Sequence, residues 1–117
     1  MPGVKIIFYN KADGTKPAED FVYSLDEEMQ AKMFRTIDML EVLGPELSRP
    51  YSAPLGNGIF ELRAQFGGDI SRVLYFFIVN GRAVLTHGFI KKTEKTPPEE
   101  IERAKRYRTE YLKRSEK

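Results

Sequence analysis

Arg63, Arg72, Lys91, Lys92 and Lys95 are the cations whose spacing points to chemistry, and His87 is the chain's single histidine. Guanidinium groups suit phosphate, because their planar fork meets two oxygens at once and never loses its charge. Imidazole is the group that titrates near neutrality, so His87 is the natural candidate to take up or release a proton. Each also has an ordinary reading. Arginines on strands form surface ion pairs, lysines in a turn are solvated, and a lone histidine among apolar neighbours such as Leu85 and Phe89 is commonly a hydrogen-bonded core residue.

Strand alternation decides which of these residues can act together. In Ile59–Ala64, Phe60 and Leu62 share one face and Glu61 and Arg63 the other. In Ser71–Val79, Val73, Tyr75 and Phe77 oppose Arg72, Leu74 and Phe76. With the aromatic and aliphatic set packed under helices, Arg63 and Arg72 share an open face, where they form a phosphate clamp. Phe76 shares that face and is placed to stack on an unpaired base.

Composition narrows the possibilities. Across 117 residues there is no cysteine, which excludes disulfides, thiol nucleophiles and thiolate metal sites, and one histidine excludes two-histidine metal motifs. No cofactor is expected. Residues 1–49 carry six Lys or Arg against nine Asp or Glu, net −3; residues 50–117 carry thirteen against eight, net +5. The basic excess in the second part points to an anionic partner. The longest apolar run, Val73–Val79, is far below the roughly 20 residues of a membrane span. No signal-peptide pattern opens the chain, so a cytoplasmic location is expected.

The remaining pattern supplies the scaffold. Val4–Tyr9 predicts a strand, Pro17 to Leu25 a short helix, and Ser24-Leu25-Asp26-Glu27 a capping box. Met29, Met33, Ile37, Leu40 and Leu43 mark one face of a longer helix that Gly44-Pro45 ends. Residues 45–57 read as loop. Three strands follow, Ile59–Ala64, Ser71–Val79 and Arg82–Ile90, with Asn80-Gly81 predicting an antiparallel hairpin. Thr96-Pro97-Pro98-Glu99 opens a last helix, capped by Thr96, with Ile101, Ala104, Tyr107 and Tyr111 on its packed side. Its other residues, among them Arg103, Lys105, Arg106 and Arg108, read as a solvated face. The order is an N-terminal strand, two helices, an antiparallel three-stranded meander and a C-terminal helix, an α+β domain over residues 1–117.

Pro54-Leu55-Gly56-Asn57-Gly58-Ile59-Phe60-Glu61-Leu62-Arg63, Ser71-Arg72-Val73-Leu74-Tyr75-Phe76 and the run His87 to Pro97 together resemble the RelE/ParE toxin superfamily, in particular its HigB-like, phage Gp49-like branch. The resemblance implies a small twisted sheet with helices on one face and a concave basic face that engages RNA. It implies a metal-independent endoribonuclease acting on messenger RNA at the ribosome, with Arg63, Arg72, His87, Lys91, Lys92 and Lys95 as catalytic candidates. Arg63, Arg72, Phe76 and the three lysines are then the RNA contacts. A cognate helix-turn-helix antitoxin is the implied partner. Two alternatives share the fold, a ParE-like inhibitor of DNA gyrase and an inactive phage-derived binding module.

Overall fold

The computed structural model describes residues 3–91 and 95–115. Its order is β1 (Lys5–Phe8), α1 (Pro17–Ser24), α2 (Glu27–Leu43), a 3-10 turn at Gly44–Glu46, β2 (Ser52–Gly56), β3 (Ile59–Phe66), β4 (Asp69–Ile78), β5 (Arg82–Lys91) and α3 (Pro98–Ser115). The five strands form one mixed sheet, β1-β5-β4-β3-β2, in which β1 runs parallel to β5 and every other pair is antiparallel. This is the expected α+β architecture, compatible with a RelE-like fold. Among the described residues no helix is long and apolar enough to cross a membrane.

Turn chemistry sets the register. Gly67 and Gly68, both at positive φ, join β3 to β4 and put Arg63 directly opposite Arg72. Asn80 and Gly81, also at positive φ, close the β4–β5 hairpin as their dipeptide predicts. β2 corrects the loop expected over 45–57. Proline and glycine there argue against a strand, but Pro54 occupies a sheet edge, where its missing N–H costs little. The buried Ser52 hydroxyl lies 2.5 Å from the Tyr75 hydroxyl, tying this edge strand into the core.

The helices lie on both faces of the sheet, not on one. Val22 from α1 and Met29, Met33, Ile37 and Leu40 from α2 pack on Leu62, Val73, Tyr75 and Leu85. On the other face Ala104, Tyr107 and Tyr111 of α3 cover Ile59, Leu74, Phe76 and Val84. Leu43, at the end of the α2 stripe, is exposed because Gly44 turns the chain away. The cap assignments also shift. Asp26, not Ser24, accepts from the Met29 N–H at 3.0 Å, while the Ser24 hydroxyl turns back to the Phe21 carbonyl. Thr96 donates to Glu61 and so is drawn into the sheet's own network.

Gly88 is where the first layer presses closest. A Cβ there would lie 2.7 Å from Phe21 Cε2 and 2.8 Å from the Arg72 carbonyl oxygen, inside any normal contact. Gly88→Ala is therefore expected to destabilise the protein by about 1–3 kcal/mol through overpacking. Urea unfolding measures this, and Phe21→Ala in the same chain should relieve part of the loss.

Candidate functional site

The face beneath the start of α3 gathers the predicted residues. Strand register aligns Arg63, Arg72 and Phe89 across β3, β4 and β5, and alternation places Glu61 on the same face. Glu61 is completely buried and joins the two arginines. Its Oε2 accepts from Arg63 Nε at 2.5 Å, and its Oε1 lies 3.7 Å from Arg72 Nε. The same Oε1 accepts from the Thr96 hydroxyl. Like charges facing each other across a ladder repel, and one buried carboxylate between them converts that repulsion into a three-membered ion network.

Arg72 departs from the open-face expectation. Its side chain is fully buried, and its Nη1 donates to the Lys95 carbonyl at 3.4 Å. The covering element is the chain leading into α3. Phe76 departs likewise: it is 1% exposed and packs edge-on against Tyr111 at 6.1 Å, so no base can stack on it in this arrangement. Arg63 keeps 21% of its side chain exposed, and Lys91 and Lys95 are exposed. Lys91 stands two residues beyond Phe89 on β5, placing its Cα about 12 Å from that of Arg63 by strand spacing and rise. Lys92 lies outside the described residues.

His87 reaches this face through a local irregularity. The β4–β5 register slips between Leu74 and Tyr75, leaving Thr86 as an extra residue in β5. Simple alternation groups His87 with Leu85. The bulge separates them: Leu85 packs under α1 and α2, while His87 meets Tyr107 of α3 edge-on at 5.7 Å. Its Nε2 is 3.0 Å from Glu100 Oε1 and its Nδ1 is 3.1 Å from the Thr86 hydroxyl. Burial holds the imidazole below its usual pKa, with Arg103 and Arg106 adding to that effect and Glu100 opposing it. At neutral pH it is uncharged and able to accept a proton.

Glu61 and Thr96, which organise the cluster, were not among the sequence candidates. Glu61 was detectable. Counting outward from a two-residue Gly67-Gly68 turn pairs residue 63 with residue 72, and two facing arginines demand an anion on their own face. Residue 61 supplies it. Thr96 had no such signal, because its helix-cap reading was self-sufficient.

Two measurements test this geometry. Arg72→Ala leaves a buried carboxylate short of a partner and is expected to cost about 3–5 kcal/mol in chemical denaturation, whereas Arg72→Met combined with Glu61→Gln should lose markedly less. For His87 the folded pKa lies below the unfolded value of about 6.5, so the unfolded chain binds the extra proton. Stability should be full above that value and fall as pH drops from about 6.5 through the folded pKa. In His87→Gln the slope in that window should vanish.

Residues 20–109 match the family described as phage derived protein Gp49-like (DUF891). No curated protein matches the chain.

Proposed function

The chain belongs to the phage-derived Gp49-like family, within the RelE/ParE-like toxin superfamily, and from that premise we propose that it is a HigB-like toxin of a type II toxin–antitoxin system that cuts messenger RNA on the ribosome. The observation that carries this reading is the pairing of Arg63 and Arg72 on one sheet face, with His87 brought onto the same face by the β5 bulge. The 2′-hydroxyl loses its proton and attacks the adjacent phosphorus. The O2′–P bond forms, the P–O5′ bond breaks, and the 5′-oxygen takes a proton. Cationic side chains stabilise the charge on the non-bridging oxygens, a task that requires no metal.

Burial divides the labour. Arg63, which keeps 21% of its side chain exposed, contacts the phosphate, and the exposed Lys91 and Lys95 supply charge beside it. Arg72 is a positioning residue: it holds Glu61, which orients Arg63, and it anchors the Lys95 carbonyl. Neutral His87 accepts the 2′ proton once Glu100 gives way. Phe76 drops out as an RNA contact. A helix-turn-helix antitoxin is the partner that would restrain the toxin, and the cytoplasm is where both would meet the ribosome.

A second reading, a binding module without nuclease activity or a gyrase inhibitor of the same fold, draws support from the burial of Arg72 and Phe76, which leaves fewer phosphate contacts than the strand pattern promises. One experiment separates them. The full chain is expressed in cells and 5′ ends are mapped on ribosome-bound messages. Wild type should create new ends within codons, and Arg63→Ala, checked for folding by circular dichroism, should reduce them by about a hundredfold or more. Growth arrest without new ends, or arrest that survives Arg63→Ala, overturns the nuclease reading.

A further inference from the structure

The structure has a cationic cleft beside α2 at the end of β3. It has a volume of about 380 Å³ and is lined by Lys32, Arg35, Thr36 and Met39 on one wall and Tyr51 and Gln65 on the other. That size is within the range of ligand pockets. Lys32, Arg35, Thr36 and Met39 recur at helical spacing, which puts them in one row on α2 beside its buried stripe. Thr36 fixes this wall to the sheet: its hydroxyl donates to the Arg63 carbonyl at 3.3 Å as well as to the Lys32 carbonyl.

The lining contains no Asp or Glu. Among the described residues neither Lys32 nor Arg35 has an acidic partner, in a segment whose overall charge is negative. Arg63 also borders the cleft, but its Nε is committed to Glu61. Tyr51 is 44% exposed and has no ring partner among the described residues. Two uncompensated cations, three residues apart on one helix, and an exposed aromatic on the facing wall match the two parts of a nucleotide. Cations take the phosphodiester and an aromatic face takes the base.

We propose that this cleft binds one nucleotide of single-stranded RNA, its phosphate on Lys32 and Arg35 and its base on Tyr51. The choice of RNA over another phosphate ligand rests on the nuclease reading, while the cleft's anion-binding character does not.

The test uses the full chain with a 2′-O-methyl pentauridylate, which cannot be cleaved by 2′-hydroxyl attack, and with inorganic phosphate. Binding is followed by NMR and by fluorescence titration at several salt concentrations. Lys32→Ala with Arg35→Ala should weaken the oligonucleotide at least tenfold and flatten the slope of log affinity against log salt by about 0.7, one phosphate's worth for a single strand. Tyr51→Leu should weaken it about tenfold. A charge-matched control, Lys5→Ala with Lys16→Ala, should change it less than twofold.

Equal weakening by the control overturns the proposal, since net charge alone would then explain binding. Binding of phosphate without movement of the Tyr51 ring signals on adding the oligonucleotide also overturns it, leaving a simple anion site. Because the oligonucleotide is uncleavable, the outcome is independent of catalysis. Retained binding here with no new 5′ ends in cells sinks only the nuclease reading, and new ends with unaltered binding in the cleft variant sinks only this one.

Discussion

Glu61 is the side chain on which the arrangement of this face depends. A two-residue glycine turn forces Arg63 and Arg72 opposite each other, and without a counter-ion that register would carry a cross-strand repulsion in a water-poor setting. A carboxylate on the same face, two residues from Arg63, resolves it. Because one oxygen also accepts from Thr96, the ion network extends to the segment entering α3. The position of that helix is thus linked to the charge balance of the sheet, and a site that looks open from strand alternation alone is roofed.

The far end of α3 is fastened by different chemistry. The Tyr9 hydroxyl donates to Glu110 at 2.7 Å, and the Tyr9 ring stacks on Tyr107 at 4.7 Å. Loss of solvent and the bond to Glu110 push this phenol's pKa up to about 12. Arg114 completes the clasp by pairing with Glu110 and donating to the Asn10 carbonyl. The pairing at that end is solvent-facing and individually weak, whereas the Glu61 network is buried. The helix is therefore held by a dry ionic contact at its entry and by aromatic packing with a wet ion pair near its exit. His87 and Glu100 stand at the dry end, so exposing the imidazole to a substrate means disturbing the more costly of the two contacts.

Local rules carried much of the fold. The hairpin at Asn80-Gly81, the apolar row of α2 and the shared face of Arg63 and Arg72 all follow from periods of two and 3.6 and from turn dipeptides. What escaped has identifiable causes. β2 was hidden because proline and glycine at a sheet edge look like loop. Simple alternation groups His87 with Leu85, because a bulge changes the count by one and leaves no mark in composition. The burial of Arg72 and Phe76 could not be read from β4 itself, since strand alternation separates two faces without saying whether a distant helix covers the second.

Charge bookkeeping along the chain misleads for a related reason. The C-terminal part holds the basic excess, yet several of its cations are paired where they stand, Arg72 and Arg63 with Glu61, Arg114 with Glu110 and Lys105 with Glu102. The acidic N-terminal part contributes Lys32 and Arg35, which face a cleft without a carboxylate in its lining. Electrostatic attraction for an anion depends on charges left uncompensated at short range, because opposite pairs cancel within a few ångströms and salt screens the rest beyond about 8–10 Å. The sum over a segment is therefore a poor guide to where a phosphate would settle. The Arg63 rim and the α2 cleft are two candidate places for one, and residue 63 borders both.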